Sequence, residues 1–292
     1  MKKGALIINA YTESGGQLNQ IKRLQEEFEK LGVTLNVFRN RFLSYIDNGN
    51  LKSPVGEADF VIYTDKDKYY ARMLEKSGYR LFNSANAIEL SDDKMLTYIT
   101  LSKSGIEIPD TVSCPLNYSV TDIDGEFLNK VVEFLGLPLV IKNCHGSLGA
   151  QVYKIDDEKQ LNEVYQRLMR LPHLYQRYLK SSYGKDCRVI VIDGKAVASM
   201  NRVNISDFRS NLEQGGVGEK CSLTEEQRFV AEKAAKILGL EYCGIDLLYG
   251  EKGQPVFCEA NGNAFFKGIE RVTGINVAGQ FAKYIYDTIY GK

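Results

Sequence analysis

LEYCGIDLLYGEKGQPVFCEANGNAFFK, residues 240–267, is the stretch that decides the fold. It contains two runs rich in β-forming residues, 242–249 and 255–260, with a polar segment that holds two glycines between them. This pattern is typical of a β-hairpin, in which two antiparallel strands are joined by a short turn. Successive side chains of each strand point to opposite faces of such a hairpin. The position of the turn therefore decides which side chains share a face.

Two acidic residues face each other if the hairpin closes with a two-residue loop at Lys252 and Gly253. Counting outward from that loop places Asp246 directly opposite Glu259, and Asn261 lies on the same face as Glu259. Facing carboxylates repel, so the arrangement favours a cation between them. Carboxylate and amide oxygens are ligands that Mg²⁺ prefers. The spacing therefore allows a magnesium site; the alternative is a register shifted by one residue, in which one carboxylate faces solvent.

The composition excludes several classes of protein. The 292 residues include 37 basic and 37 acidic side chains, so bulk charge gives no reason to expect a nucleic-acid or membrane partner. No apolar run approaches the ~18 residues of a membrane span, and the first residues lack the features of a signal peptide. The six cysteines form no Cys-x-x-Cys pair, and two histidines are too few for a multi-histidine metal centre. We therefore expect a cytoplasmic protein of two or three compact units.

The N-terminal third alternates between strand and helix patterns. Residues 4–10, 33–38 and 59–64 are short apolar runs, and residues 18–31 carry apolar side chains at helical spacing. Such alternation predicts a parallel sheet of the Rossmann type. The glycines at 15–16 do not form the G-x-G-x-x-G motif, so support for dinucleotide binding is weak.

A lysine and a glycine-rich loop lie between two predicted strands near the middle of the chain. The run 138–142 ends at Lys142, the loop NCHGSLG covers 143–149, and a second strand pattern covers 150–155. A Walker A motif would need a helix after its glycines. The arrangement is closer to the flap that covers nucleotide phosphates in kinases, where Lys142 would contact a phosphate oxygen. The alternative is an ordinary hairpin with a solvated lysine.

A second hairpin is predicted over residues 186–202. Asp193 and Gly194 are a strong signal for a two-residue type I′ turn, which pairs Ile192 with Lys195. One face then carries the polar residues Asp186, Arg188, Ser199 and Asn201. The other face then carries the residues Cys187, Val189, Val191, Ala196, Ala198 and Met200. The polar face is either solvated or the wall of a ligand site, and the loop 207–216, DFRSNLEQGG, suits anionic oxygens or an ordinary surface.

The order of these segments resembles the ATP-grasp superfamily and, within it, the RimK-like α-L-glutamate ligases. The resemblance runs from Asn83 to the C-terminus and is carried by the motifs GKDCRV, DFRSNLEQGG, CGIDLL and VTGINVAG. It implies an α/β (α+β) ATP-grasp fold, in which two α+β subdomains enclose the nucleotide. The implied domains are a Rossmann-like pre-ATP-grasp domain at 1–88, a central subdomain with the glycine-rich flap at 89–180, and a C-terminal subdomain with the metal site at 181–292.

The resemblance also implies roles for individual residues. Two of them, Lys142 and Arg202, are implied to stabilise the transferring phosphoryl group. Positions implied to contact ATP are Lys94, Lys142, Gly146, Ser147, Gly149, Gln176, Tyr178, Leu179, Asp186, Arg209, Ser210 and Asn211. The implied ligands of Mg²⁺, or of Mn²⁺, are Asp246, Glu259 and Asn261, in agreement with the hairpin pairing above.

Two segments depart from the family pattern. Gln176 and Arg177 stand where the family usually has Gln-Glu, which removes a carboxylate near the expected adenine. After Asn261 the chain continues as GNAFFK rather than Ser-Pro-Gly, in a segment where an acceptor would approach. The resemblance therefore does not name the substrates.

The implied activity is an ATP-dependent carboxylate–amine ligation through an acyl phosphate. The substrates would be a small-molecule or peptide carboxylate and the amine of an amino acid, with glutamate or another amino acid added to a small-molecule, peptide or protein acceptor. Relatives suggest a homodimer or homotetramer. Two alternatives stay open: an ATP-binding module without catalysis, and a small-molecule kinase that stops at phosphate transfer.

Replacing Glu259 by glutamine tests the metal assignment. The substitution keeps the size of the side chain and removes one carboxylate ligand, so we expect an intact fold and no release of ADP. ADP release under saturating ATP and magnesium, with circular dichroism as the control for folding, is the measurement. Turnover near that of the unmodified protein would contradict the assignment.

Overall fold

The computed structural model describes residues 2–41, 44–53, 55–119, 121–146 and 149–291. Within these residues the chain forms three larger sheets, each with helices packed against it, and one small two-stranded ribbon. None of the helices in the described ranges is long and apolar enough to cross a membrane. The architecture is therefore the mixed α/β type that the sequence predicts.

The first sheet is parallel and has the strand order β2-β1-β5-β6. Its region contains β1 (Lys2–Ile8), α1 (Gly15–Lys30), β2 (Val33–Arg39), β3 (Tyr45–Asp47), β4 (Asn50–Lys52), β5 (Phe60–Tyr63), α2 (Lys68–Lys76), β6 (Leu81–Phe82) and α3 (Ala85–Asp92). The central strands β1 and β5 are buried along nearly their whole length, as expected for a parallel sheet covered on both faces. The predicted Rossmann-type alternation is confirmed.

The second sheet is antiparallel and has the order β7-β10-β8-β9. Its region contains α4 (Lys94–Leu101), β7 (Thr111–Ser113), α5 (Gly125–Leu135), β8 (Leu139–Asn143), β9 (Val152–Ile155), α6 (Glu158–Leu168) and β10 (His173–Arg177). Helices α5 and α6 bury their apolar stripes against the sheet in one core cluster. The strand, loop and strand predicted around Lys142 correspond to β8 and β9.

The third sheet is antiparallel and has the order β13-β12-β11-β14-β15. Its region contains β11 (Lys185–Ile192), β12 (Lys195–Val203), β13 (Val217–Lys220), α7 (Glu225–Ile237), β14 (Tyr242–Tyr249), β15 (Pro255–Asn261), α8 (Phe266–Thr273) and α9 (Val277–Tyr290). Helix α4 packs on α7 and β15 of this region. The predicted domain boundaries stay predictions: helix α3 runs across the one at 88–89, and the packing of α4 crosses the one at 180–181.

The hairpin β14–β15 forms with a different turn from the predicted one. Gly250 donates its backbone N–H to Gln254 O, and Tyr249 pairs with Pro255, so the loop has three residues rather than two. Gly253 has a φ of 80°, which a three-residue loop of this kind requires. A bulge at Cys258 then restores the register, and Asp246 lies opposite Glu259 as predicted. The predicted pair is confirmed, although the predicted loop is wrong.

The hairpin β11–β12 has the predicted turn but not the predicted faces. Asp193 and Gly194 both have positive φ, as a type I′ turn requires, and Ile192 pairs with Lys195. A bulge beside Ile190 and Val191 shifts the register beyond it by one residue. Asp186 therefore pairs with Arg202 rather than Asn201. As a result Ser199 and Asn201 share the face of Cys187, and Ala198 and Met200 share the face of Arg188.

The first sheet and the hairpin β14–β15 are joined by one buried amide. The Nδ2 atom of Asn83 donates to Tyr242 O and Gly262 O, both at 2.8 Å. Its Oδ1 atom accepts the backbone N–H groups of Glu241 and Tyr242 at 2.7 and 3.1 Å. Asn83 follows β6 directly, so its side chain holds the end of the first sheet against the start of β14. It thereby fixes where the carboxylates of the hairpin stand relative to the first sheet.

A shared apolar core adds to this connection. Phe60 and Phe82 of the first sheet, Phe28 of α1 and Phe281 of α9 belong to one buried cluster with residues of β11 and β12. The ring of Phe82 meets that of Tyr284 edge to face, with 6.0 Å between the centroids. Helix α9 thus covers the first sheet although it lies in the last part of the chain.

Replacing Asn83 by alanine should destabilise the protein strongly. The change leaves two buried carbonyl groups and two N–H groups without their partner, and we expect a loss of about 3 kcal/mol in the free energy of unfolding. Urea unfolding followed by fluorescence or circular dichroism measures the change. Asn50→Ala on the exposed strand β4 is the matched control and should change stability by less than about 0.5 kcal/mol. Equal stability of both variants would contradict the bridging role.

Candidate active site

A cleft lies between the second and third sheets, and nearly all predicted site residues line it. The members are Lys94, Lys142, Gly146, Gly149, Gln176, Tyr178, Leu179, Asp186, Arg202, Arg209, Ser210, Asn211, Asp246 and Glu259. Asn261 lines a neighbouring cavity instead, which we call the second cavity; Arg202, Asn211 and Glu259 line both. Ser147 lies outside the described residues. The structure thus brings together residues that are far apart in sequence.

Two lysines stand on the flap side of the cleft. Lys94 begins α4, and its Nζ atom donates to Gly146 O at 3.0 Å and lies 3.3 Å from Glu259 Oε1. Lys142 is buried on β8, with its Nζ atom 3.8 Å from Cys258 Sγ. Burial lowers the pKa of Lys142, but the neighbouring Cys258, Tyr98 and Glu259 raise it by more than burial lowers it. The pKa of Lys142 is therefore above that of an ordinary lysine. Both side chains are therefore positioned as cations for anionic oxygens.

The loop after β12 holds the flap down. The Nη1 atom of Arg209 donates to Gly149 O at 2.9 Å, while Nε and Nη2 bind the carboxylate of Asp207. Gly149 has a φ of 73°, and a Cβ atom there would lie 3.1 Å from Asn211 Oδ1. A glycine is thus required for this close approach. Gly149 and the loop after β12 thus meet in the lining of the cleft.

Arg177 stands in the hinge between the second and third sheets, where the family usually has glutamate, and its contacts explain the arginine. Its guanidinium binds Asp110 at 2.7 Å and donates to the carbonyl groups of Phe134 and Leu135 at 3.0 and 2.9 Å. These carbonyls end helix α5, where a cation is favourable. The arginine therefore serves the second sheet and its helix. The neighbouring Gln176 donates to Thr111 Oγ1 at 2.9 Å, so its side chain also braces the sheet.

A network of two arginines and two aspartates forms the floor of the cleft. Arg202 donates through Nε and Nη2 to Asp186, and its Nη2 atom lies 3.0 Å from Asp246 Oδ2. Arg188 forks onto Asp246 through Nε and Nη2, with the second contact at 2.7 Å. Burial raises the pKa of Asp246, but the two guanidiniums outweigh burial and hold that pKa below its usual range. Asp246 therefore stays ionised although it is almost completely buried.

Arg188 is the site residue that sequence reasoning missed. The sequence pattern places it beside Asp186 as a partner, whereas the bulge in β11–β12 gives Asp186 to Arg202 and leaves Arg188 opposite Asp246. Gly244 makes room for it, because a Cβ atom there would lie 3.0 Å from Arg188 Nη1 and 2.8 Å from Ala264 Cβ. The signal that would have found it is the pairing of β11 with β14, which only the strand order of the sheet reveals.

The predicted metal ligands provide a donor set that suits Mg²⁺. Asp246 and Glu259 face each other across β14 and β15, and Asn261 follows on the same face. No cluster of three or more His, Cys, Asp and Glu residues exists among the described residues, so two carboxylates and an amide would be the protein's share. Mg²⁺ is often bound by one or two carboxylates, with substrate phosphates and water as its other ligands. Asp246, Glu259 and Asn261 would therefore hold the ion.

A comparison with known families agrees with this geometry. Residues 91–285 match the model of the RimK-like ATP-grasp domain. The chain belongs to the RimK-like ATP-grasp family. The match begins just before Lys94 and ends within α9, so all the residues of the cleft fall inside it.

Curated relatives of this RimK-like protein include a synthase and a probable ligase. It is 36% identical to human N-acetylaspartylglutamate synthase A over 225 residues, and this match covers 76% of the chain and 56% of that protein. It is 37% identical to the probable alpha-L-glutamate ligase of Thioalkalivibrio sulfidiphilus, over 73% of the chain and 69% of that protein. The chain thus spans about half the length of the first curated relatives it matches.

The ATP-grasp fold also appears in solved structures. One is the ATP-grasp ligase PsnB complexed with a phosphomimetic variant of its minimal precursor, Mg and ADP. It has 18% sequence identity and a TM-score of 0.70, with 99% of each chain covered. At this identity the likeness shows the shared fold, including the N-terminal sheet that the family match does not reach.

Gly244→Ala tests whether the contact between Arg188 and Asp246 requires a residue without a side chain at position 244. The added methyl group would collide with the Arg188 guanidinium and with Ala264, so we expect Arg188 to leave Asp246. The loss of one partner of a buried charge should lower the melting temperature by several degrees and reduce ADP release at least tenfold. Thermal unfolding and an ADP assay measure both effects.

Gly15→Ala at the start of α1 is the matched control, because nothing lies within 4 Å of a Cβ atom there. It should leave stability and ADP release nearly unchanged. If Gly244→Ala behaves like Gly15→Ala, the Arg188–Asp246 contact does not depend on this glycine.

Proposed function

We propose that this chain is an ATP- and magnesium-dependent carboxylate–amine ligase that works through an acyl phosphate. The observation that carries the proposal is the arrangement around the facing carboxylates Asp246 and Glu259. Two lysines under a glycine-rich flap stand on one side of them, and Arg202 stands where the cleft meets the second cavity. A nucleotide in the cleft and a carboxylate in the second cavity would thus meet at one point.

Each residue of this arrangement has a definite task in the first step. Lys94 and Lys142 bind oxygens of the phosphate chain from below the flap, and Arg202 faces the γ-phosphoryl group during transfer. Magnesium, when bound, neutralises phosphate charge and brings the γ-phosphoryl group and the acceptor together. The backbone of Tyr178 and Leu179 holds the adenine, with Asp186 near the ribose. A closed flap excludes water that would hydrolyse the acyl phosphate.

The chemistry needs no histidine or nucleophilic side chain. A carboxylate oxygen of the acceptor attacks the γ-phosphorus, the bond to the β-phosphate oxygen breaks, and ADP leaves. The amine nitrogen then attacks the acyl carbon, and the carbon–oxygen bond to phosphate breaks. Of the two protons that an ammonium loses on becoming an amide, one leaves with hydrogen phosphate and one goes to solvent. The protein contributes mainly positioning and charge neutralisation.

The names of the relatives support an amino acid as the amine. Among them are an N-acetylaspartylglutamate synthase and a probable alpha-L-glutamate ligase, so we propose glutamate, or another amino acid, as the group added. The acceptor is a small-molecule, peptide or protein carboxylate. Magnesium is the proposed ion, with manganese as a substitute of similar coordination.

The proposal includes a setting for the protein. All six cysteines are unpaired and four are buried, which favours the reducing cytoplasm. A homodimer or homotetramer, which the family resemblance implies, belongs to the same proposal. Gel filtration with light scattering would measure the oligomeric state.

Hydroxylamine distinguishes the ligase from its alternatives. With ATP, magnesium and a carboxylate but no amine substrate, we expect it to attack the acyl phosphate and to give a hydroxamate together with ADP. A screen of small carboxylates crossed with amino acids, read by product mass, then names the substrates. ATP binding without ADP from any pair would indicate a binding module. ADP without hydroxamate would indicate a kinase that phosphorylates a hydroxyl group, and either result would contradict the proposal.

A further inference from the structure

The second cavity has a volume of about 450 Å³ and lies between the first and third sheets. Its third-sheet wall carries Arg188, Arg202, Glu259 and Asn261, and thus contains part of the proposed phosphoryl-transfer site. The opposite wall comes from the first sheet, where Asp65 follows the end of β5. An amine that attacks the acyl phosphate would have to reach it through this space. The charge and hydrogen-bonding groups around Asp65, on the first-sheet side of the cavity, therefore help to determine which nucleophile the protein accepts.

Asp65 is a carboxylate held by neutral donors. Its Oδ1 atom accepts the N–H of Lys66 at 2.7 Å, and its Oδ2 atom accepts from the amide groups of Asn9, at 3.1 Å, and Asn40. None of the described cations forms an ion pair with it. The nearest lysine in sequence, Lys66, binds Asp92 at 2.6 Å instead. The negative charge of Asp65 is thus fixed in position but not neutralised.

A second polar group stands beside Asp65 in the same wall. Asn263 donates through Nδ2 to Thr64 O at 2.6 Å, which joins the segment after β15 to the end of β5. Its Oδ1 atom is buried and finds no partner within the described part of the chain. Asn263 belongs to the GNAFFK segment that departs from the family pattern. Here, then, a carboxylate without a counter-charge and an amide oxygen without a donor border the same cavity.

A carboxylate without a counter-charge suits a cation better than an anion. The other described charged residues that line the cavity are paired: Arg188 with Asp246, Arg202 with Asp186, Glu259 with Lys94 and Lys66 with Asp92. A ligand that carries an ammonium group would supply the counter-charge that Asp65 lacks. An amino acid carries such a group, whereas an alcohol, a thiol or a second carboxylate without an amine does not.

We propose that Asp65 binds the ammonium group of the amine substrate and so selects a charged amino acid as the nucleophile. The inference rests on the proposed function and adds the residue that receives the second substrate. One acceptor position of Oδ1 remains free for the ammonium, because a carboxylate has about four such positions and three are used. Asp65 takes no part in ATP binding or in formation of the acyl phosphate.

Asp65→Asn tests this role by separating the two half-reactions. The variant should form hydroxamate from hydroxylamine at a rate within twofold of the unmodified protein, because hydroxylamine is uncharged at neutral pH. Its KM for the amino acid should rise tenfold or more, the loss typical of a charge-assisted hydrogen bond. The assay uses the best carboxylate from the product screen, with L-glutamate as the first amine.

Two control variants separate the charge of Asp65 from the shape of its wall and from the net charge of the protein. Asn40→Ala removes the brace on Asp65 but keeps its carboxylate, and Asp67→Asn removes an equal charge from the N-cap of α2. Both should keep a KM for the amino acid close to that of the unmodified protein. An equal rise in KM for Asn40→Ala and Asp65→Asn would assign Asp65 a structural role and overturn the inference.

Two further outcomes separate the inference from the proposed function. An unchanged KM in Asp65→Asn, with hydroxamate still formed, would overturn the inference and leave the ligase proposal intact. No hydroxamate from the unmodified protein with any carboxylate would overturn the proposed function, and the inference would fall with it.

Discussion

A buried carboxylate needs a compensating charge, and the floor of the cleft is organised by this requirement. Asp246 is 3% exposed and contacts both Arg188 and Arg202. Removing one partner of such a pair leaves an uncompensated charge, which costs several kcal/mol. The strand order places β11 between β12 and β14 and so brings both arginines to one carboxylate. The position of the proposed metal site thus depends on strands from two different hairpins.

The same interaction offsets the repulsion between the two facing acids. Glu259 lies beside Lys94, and Asp246 lies beside the two arginines, so each carboxylate has a cation of its own. The charged side chains of the site thus compensate one another.

Much of this arrangement follows from the sequence, but the two hairpins show where local patterns stop. The turn at Asp193 and Gly194 is predictable because two residues with positive φ leave a strong signal. The bulges at Cys258 and beside Ile190 leave no such signal, because a bulge depends on the packing of the whole sheet. The hairpin β14–β15 has a longer loop than predicted, and the bulge at Cys258 cancels the resulting shift in register, so Asp246 still lies opposite Glu259. The bulge beside Ile190 has no such compensation and moves Arg202 onto the face of Asp186. The resemblance to a family supplies the cleft residues that hairpin geometry alone does not, and Arg188 emerges only with the strand order.

Helix α9 covers the first sheet, and this has a consequence for how the chain folds during synthesis. The apolar side of β5 and β6 that meets Tyr290 and Tyr284 is made long before Val277–Tyr290 leaves the ribosome. Until then the first sheet is complete in its strands, but on that side α1 covers it without α9. The apolar surface of the first sheet is thus fully buried only late in translation. A nascent chain that stalled before α9 would leave part of this apolar surface exposed to chaperones.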